Sequence, residues 1–420
     1  MLDLKLLRDN PDVIRDALKR RGSTLSLDPL LALEKQRREL LLGVEQDRHR
    51  LKQASEEFGK QKSAGKTGAP PAELKPLSEG IKAREQQLKE MEDRIAAELA
   101  LVPNMPHASV PVGPPSVNRI ERTVGAKPAF AFPPLTHVEL GERLGLFDFA
   151  RAAKITGSNF PLFIGKGARL ERALINWMLD VQTKEHGYTE VAPPFLVNRH
   201  SMFGTGQLPK FEEDMYRLQG DDLFLIPTAE VPVTNLHRDE MLEEAQLPVT
   251  YTAYSACFRR EAGSYGKETK GLVRVHQFDK VELVRFAAPE RSYDELELLV
   301  GHAETILTRL GLHYRVVALA TGDLSFSAAK CYDLEAWAPG QQQFLEVSSC
   351  SNFEDFQARR ANIRYRQAST KKPAYVHTLN GSGVALARVV ICLLETHQQP
   401  DGHVRVPEPL RPYLDGQDRI

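Results

Sequence analysis

Between residues 30 and 58 apolar side chains recur at steps of three and four. Leu30, Leu33, Leu40, Val44, Leu51, Ala54 and Phe58 form the stripe, and Arg37 and Asp47 occupy its two polar positions. A heptad stripe of this kind predicts a long helix burying one narrow seam. Asp28-Pro29 offers it an N-cap and a proline at the first helical position. A second stripe follows: Leu74, Leu77, Ile81, Arg84, Leu88, Met91, Ile95 and Leu99 or Val102. Residues 59–72, GKQKSAGKTGAPPA, separate the two and have the composition of a turn. Two helices of similar length joined by one short connection are expected to pair antiparallel, as a hairpin over about residues 29–102. Ahead of it, residues 1–22 read as short helical pieces. One starts at Asn10-Pro11, with Val13, Ile14 and Leu18 on its apolar side.

The pattern changes after the hairpin. Residues 103–118, PNMPHASVPVGPPSVN, are proline-rich and read as a linker. Beyond them strand and helix patterns alternate irregularly. The expected organisation is a helical arm at 1–103, a linker at 104–118 and one domain at 119–420, in the α+β class.

Within that domain, residues 251–285 read as strand, loop, strand. Residues 251–260 suit a pleated surface. The glycines and charges of residues 261–271 predict a long loop. Residues 272–285 alternate, with Val273, Val275, Val281 and Leu283 on one face and Arg274, His276, Phe278, Lys280 and Glu282 on the other. By the same parity Arg259 and Glu261 share a face. A cation, an aromatic ring and a carboxylate on one strand face suit a ligand with phosphates, a base and an amino group. A solvated hairpin with cross-strand charge pairs carries about equal weight on alternation alone.

A formal net charge of −1 argues against a generally basic nucleic-acid coat, so RNA contact would need local patches. Arg48, His49, Arg50, Lys52, Lys60, Lys62 and Lys66 make one such cluster towards the hairpin tip. The four cysteines, Cys257, Cys331, Cys350 and Cys392, have no paired spacing, which points to a reducing compartment. No apolar run approaches ~18 residues, so no membrane-spanning helix is expected. The acidic N-terminus, without an apolar h-region, makes the cytoplasm the expected location.

FRREAGSYGKETKGLVRVHQFDKVE resembles motif 2 of class II aminoacyl-tRNA synthetases, in the form found in seryl-tRNA synthetases. Other segments carry the same resemblance in order. Residues 167–211 resemble motif 1 and end in GTGQLPKF. They are followed by the TAE triplet at 228–230, the EVSSCSN strand at 346–352, and HTLNGSGVALARVVICLLE at 377–395, which resembles motif 3. The glycines of this last segment predict a turn leading into an apolar helix.

The resemblance implies a catalytic domain built on a mainly antiparallel β-sheet flanked by helices, with an N-terminal coiled-coil arm that grips tRNA. It implies activation of L-serine with ATP and Mg²⁺, transfer to tRNA(Ser) with tRNA(Sec) an open second acceptor, and a homodimer. Carried over residue by residue, Arg259 and Arg388 are catalytic. Arg259, Arg260, Glu261, Arg274, Val275, Phe278, Glu346, Val347, Ser348, Ser349 and Arg388 bind ATP. Thr228, Ala229, Glu230, Arg259, Glu282 and Ser382 bind serine, and Glu346 and Ser349 hold Mg²⁺. Oxygen donors suit that ion. Glu346 and Ser349 are three apart and do not share a face of a regular strand, so a bend is expected near Ser348. The chain departs from the family pattern at Asn159, Ser325, Phe353 and Ala387, none of them assigned chemistry. Two other readings are an amino-acid ligase charging a carrier protein and a non-catalytic RNA-binding scaffold. The arm weighs against the first, and the intact Arg259, Glu282, Glu346 and Arg388 against the second.

Overall fold

The computed structural model describes residues 1–64, 72–262 and 270–420, without the Lys62 side chain. The turn between the two long helices and the middle of the 261–271 loop therefore lie outside the described residues, as does Lys66. The chain divides into two units. The smaller comprises Leu2–Lys19 and Ser23–Pro103, the larger Met1, Arg20–Gly22 and Asn104–Ile420.

In the smaller unit, α1 (Leu4–Asp9) and α2 (Pro11–Arg20) precede the long helices α3 (Asp28–Ser63) and α4 (Leu74–Leu99). Val13, expected on the apolar side of α2, is exposed, and Ala17 joins Ile14 and Leu18 in the buried stripe. Residues 59–63, expected in the turn, continue α3. A lone glycine costs a helix only about 1 kcal/mol, so Gly59 does not end it. The α3 seam is buried or half-buried at every expected position. Its polar members are paired. Asp47 meets Arg84, the polar member of the α4 stripe, in an ion pair across the hairpin. Arg37 lies against Glu34 at 2.7 Å and Glu92 at 3.5 Å. Glu34, 1% exposed, is a buried carboxylate that the heptad pattern did not mark.

The larger unit contains strands β1 (Arg119–Val124), β2 (Thr189–Glu190), β3 (Leu196–Asn198), β4 (Leu223–Leu225), β5 (Met241–Glu243), β6 (Val249–Phe258), β7 (Gln277–Ala287), β8 (Tyr314–Ala318), β9 (Lys330–Ala338), β10 (Gln343–Asn352), β11 (Arg364–Arg366), β12 (Pro373–Tyr375) and β13 (His377–Ala385). Its helices are α5 (His137–Leu144), α6 (Phe149–Thr156), α7 (Lys166–Lys184), α8 (Arg199–Gly204), α9 (Glu230–Thr234), α10 (Ser292–Arg309), α11 (Phe356–Ala361) and α12 (Leu386–His397). Among the described residues, eight strands form one sheet in the order β1-β8-β9-β10-β13-β7-β6-β2, antiparallel except for β2 beside β6. Residues 104–118, expected to be a linker, belong to this unit. The Asn104 side chain is buried and donates to the carbonyls of Ser327 and Phe353, each at 2.8 Å.

Leu170, Leu174 and Val181 of α7, Leu299 and Ile306 of α10, and Val390 and Leu394 of α12 share one core with Val281, Leu283, Leu334, Val347 and Leu379 of the sheet. This is the apolar face that alternation predicted for 281 and 283. The opposite face of β7 carries Phe278, Lys280 and Glu282.

Three local expectations change. Strand β7 starts at Gln277, so the parity assumed for 272–276 fails there, and both faces of the predicted alternation, Val273 and Arg274, border one cavity. Glu261 has φ +51° and lies beyond the end of β6 at Phe258, so it does not share strand parity with Arg259. Residues 377–385 form strand β13 in the middle of the sheet, not a glycine turn. Gly381 is there for close packing: a Cβ would lie 2.2 Å from Leu299 Cδ2 and 2.8 Å from Cys350 Sγ. The missing side chain lets α10 approach the strand.

Candidate active site

A cavity of about 650 Å³ opens over β7, β10 and β13. Its walls bring together Thr228, Glu230, Arg259, Glu261, Arg274, Val275, Phe278, Glu346, Val347, Ser348, Ser349, Ser382 and Arg388. Three other candidates do not border it. Arg260 is exposed, and its peptide N–H donates to the Asp214 carbonyl at 3.1 Å. Ala229 is buried just ahead of α9. Glu282 is buried behind the wall and reaches it through hydrogen bonds.

One end of the cavity is a polar pocket. Thr228 precedes α9 and Glu230 opens it. The Thr228 hydroxyl donates to Glu282 Oε2 at 3.1 Å. It accepts from Lys280 Nζ at 2.9 Å and from the Glu230 peptide N–H at 3.2 Å. Lys280 Nζ also pairs with Glu282 Oε2 at 2.6 Å, and both side chains are buried. Asn380 Nδ2 bridges the two carboxylates, 3.0 Å from Glu230 and 2.9 Å from Glu282. Burial, then the neighbouring Glu282 charge, pushes the Glu230 carboxyl up to about 7. A buried carboxylate in such surroundings gains from an ammonium partner. Ser382, opposite Glu282 in the β13–β7 ladder, completes the pocket wall.

The middle of the cavity is aromatic and cationic. The Arg259 guanidinium lies 5.2 Å from the Phe278 ring centroid, within cation–π range. Arg274 and Glu261 form an ion pair across the loop base. The far side of that loop is anchored, because the Leu272 N–H donates to His137 Nε2 at 3.1 Å. Gly271, at φ +67°, permits the approach: a Cβ would sit 2.1 Å from the same nitrogen.

The other end is built on β10. The ladder with β9 shifts register between Glu346 and Ser348, where Val347 is inserted. The bulge is the bend expected near Ser348. It puts Glu346 opposite Glu335 and Ser349 opposite Asp333, so Glu346 and Ser349 share a face. Burial, followed by the Glu346 charge, raises the Asp333 carboxyl well above the usual carboxylate range. This set of carboxylate and hydroxyl oxygens is hard-donor chemistry and fits a divalent ion shared with phosphates. Arg388, the third residue of α12, reaches the same end. Its Nε donates to the Val273 carbonyl at 3.2 Å and its Nη1 to the Glu346 carbonyl at 2.8 Å.

Sequence reasoning missed Lys280, Asn380 and Asp333. Lys280 falls on the expected face but carried no assigned role. Asn380 was hidden by the expectation of a turn at 377–385, because on a strand it shares parity with Ser382. Asp333 becomes visible only through strand pairing, and no local pattern marks it.

A cavity on an antiparallel sheet, with arginines from a strand-loop hairpin and from a helix after the central strand, is the arrangement expected of a class II aminoacyl-tRNA synthetase core. Residues 210–397 match the tRNA synthetase class II core domain (G, H, P, S and T), and residues 1–106 match the seryl-tRNA synthetase N-terminal domain. The chain is 52% identical to the serine–tRNA ligase of Desulforapulum autotrophicum and 54% identical to that of Carboxydothermus hydrogenoformans. Each comparison covers 100% of this chain and 99% of the relative. The structure superposes on seryl-tRNA synthetase from Pyrococcus horikoshii complexed with ATP with a TM-score of 0.92, at 39% identity, covering 100% of this chain and 99% of that one. The chain belongs to the seryl-tRNA synthetase family.

Proposed function

We infer that this chain activates L-serine with ATP to seryl-adenylate and transfers the seryl group to the 3′ end of tRNA(Ser). The observation that carries the reading is the pocket of Thr228, Glu230, Glu282, Asn380 and Lys280 beside the arginine-lined cavity. In it, Glu230 receives the substrate ammonium and Ser382 addresses the hydroxyl, while Thr228 and, behind the wall, Glu282 complete the serine site by fixing the groups that face the substrate. Arg259 stands between serine and phosphate, where it draws the carboxylate and the α-phosphate together. Phe278 stacks on adenine, Arg274 adds positive charge, and Glu261 orients the adenine or ribose end. Val275 and the backbone of Val347 and Ser348 shape the ATP site. Arg388 holds the γ-phosphate.

No side-chain nucleophile is required, because the serine carboxylate attacks phosphorus. The protein contributes positioning and charge stabilisation. Glu346 and Ser349 would hold Mg²⁺, which when bound neutralises phosphate charge. The arm is the tRNA-binding element, and α7, in the motif 1 segment, lies at the interface of a homodimer. The enzyme is assigned to the cytoplasm. Among the described residues no helix is long and apolar enough to cross a membrane.

ATP–pyrophosphate exchange across a panel of amino acids, without tRNA, tests the activation step. Exchange with serine and not with alanine is expected, since a site that bonds a buried hydroxyl rejects the analogue lacking it by roughly 10⁴–10⁵-fold. Exchange with alanine or glycine at comparable rates would move the assignment to a carrier-charging ligase.

A further inference from the structure

We propose that Gln357 is a positioning residue for the amino-acid site, holding Glu230 as the acceptor of the substrate ammonium. The proposal rests on the serine-activating reading above.

Gln357 lies on α11 and is fully buried. Its amide is fixed at both ends. Oε1 accepts from the Thr378 hydroxyl at 2.7 Å, while Nε2 donates to Glu230 Oε1 at 2.6 Å and to the Thr205 carbonyl at 3.2 Å. The two amide hydrogens therefore go to two acceptors. Turning the amide over would aim its oxygen at the Glu230 carboxylate and the Thr205 carbonyl, so the orientation is dictated by its surroundings. Asn380 donates to the other carboxylate oxygen at 3.0 Å. Glu230 is thus held by one amide on each oxygen, and each oxygen keeps a lone pair for the incoming ammonium.

Gln357 does not border the cavity, so it acts through Glu230. Its hydrogen bond favours the ionised carboxylate against burial and the Glu282 charge, which both oppose ionisation. Serine binding requires that ionised form. Below pH about 7 the carboxyl holds a proton and its charge is lost to the ammonium. Removing the amide donor moves this loss to higher pH.

The test is serine-dependent ATP–pyrophosphate exchange as a function of pH, on the full chain. The variants are Gln357→Met, Gln357→Glu and Thr378→Val. For Gln357→Met the KM for serine is expected to rise about tenfold to a hundredfold, the factor carried by a hydrogen bond to a charged group, with the KM for ATP unchanged. The acid limb of kcat/KM for serine should shift to higher pH. Gln357→Glu, which adds a like charge, should lose more. Thr378→Val, which frees the amide without touching Glu230, should move the same way by less, and supplies the test if the Gln357 variants do not fold. Variants that keep the wild-type serine KM and acid limb would overturn the proposal while leaving the serine reading intact. Wild-type protein that exchanges with another amino acid and not with serine would overturn both.

Discussion

Arg388 Nη1 donates to the backbone carbonyl of Glu346 at 2.8 Å, and the same nitrogen lies 3.5 Å from the Glu346 carboxylate. One guanidinium from α12 is thereby pinned to the strand bulge that brings Glu346 and Ser349 to one face. Its Nε takes the carbonyl of Val273, so a single planar fork joins β10 to the exit of the 261–271 loop. A lysine has one nitrogen and cannot bond both carbonyls while still addressing a phosphate. Arg388→Lys is therefore expected to raise the KM for ATP and lower kcat. Arg388→Ala should lose about 10²–10³ in kcat, the scale for removing one preorganised charge donor. Pyrophosphate exchange at varied ATP checks this, with the KM for serine the control that should move least.

Glu282 has two tasks. It accepts from Thr228 and Asn380 in the pocket, and it neutralises Lys280, whose side chain is almost wholly buried. Glu282→Ala should abolish serine-dependent exchange. It should also destabilise the protein by about 3–5 kcal/mol, because breaking a buried pair strands the remaining charge. Lys280→Met combined with Glu282→Ala separates the two effects: stability should return in large part, activity should not. Recovery of exchange in the double variant would show that the carboxylate is not part of the substrate pocket.

The hairpin arm was legible in the sequence because a heptad stripe is a local signal repeated many times. Even its polar interruptions had meaning, since Asp47 and Arg84 pair with each other. The bulge at Val347 was legible from a conflict: two residues that had to share a face stood three apart. The glycine-rich 377–385 segment misleads because glycine reports the need for space without saying why. A turn needs a particular φ, whereas Gly381 makes room for Leu299 on a helix about eighty residues away in the chain. Glu230 and Gln357 come from segments 127 residues apart. Such a pairing is set by tertiary packing, and no periodicity encodes it.

Glu171, on α7, faces Asp279 of β7 with the Tyr254 hydroxyl donating to Asp279 at 3.1 Å. Burial first, then the Asp279 charge, pushes the Glu171 carboxyl from 4.5 up to about 8. A folded-state value above the unfolded one means stability that is fully present below about pH 4.5 and lost as pH rises through about 8. Glu171→Gln removes that loss. The variant should match wild type at about pH 4 and exceed it by roughly 1–2 kcal/mol near pH 9, a range discounted for the water this side chain still meets. Thermal unfolding at the two pH values measures it, and an advantage at the acid pH that vanishes at pH 9 would reverse the sign.

The arm's basic cluster divides on inspection. Arg48 is paired with Glu85 at 2.6 Å across the hairpin, so part of its charge is spent within the arm. Arg50, Lys52 and Lys60 are exposed on α3. If these three meet a phosphate backbone, each alanine substitution leaves one phosphate without its cation and does not touch the seam. The triple variant Arg50→Ala, Lys52→Ala, Lys60→Ala should then keep wild-type serine-dependent pyrophosphate exchange, because the cavity proposed for its reactants is lined by the larger unit. Its KM for tRNA should rise, and the slope of log affinity against log salt should fall by about one for each phosphate no longer neutralised. Arg48→Ala gives the contrast, since losing an exposed cross-helix pair should cost about 0–1 kcal/mol of arm stability. Equal loss of exchange and of tRNA charging in the triple variant would place the defect in folding. Unchanged charging would move the tRNA-binding surface to another face of the arm.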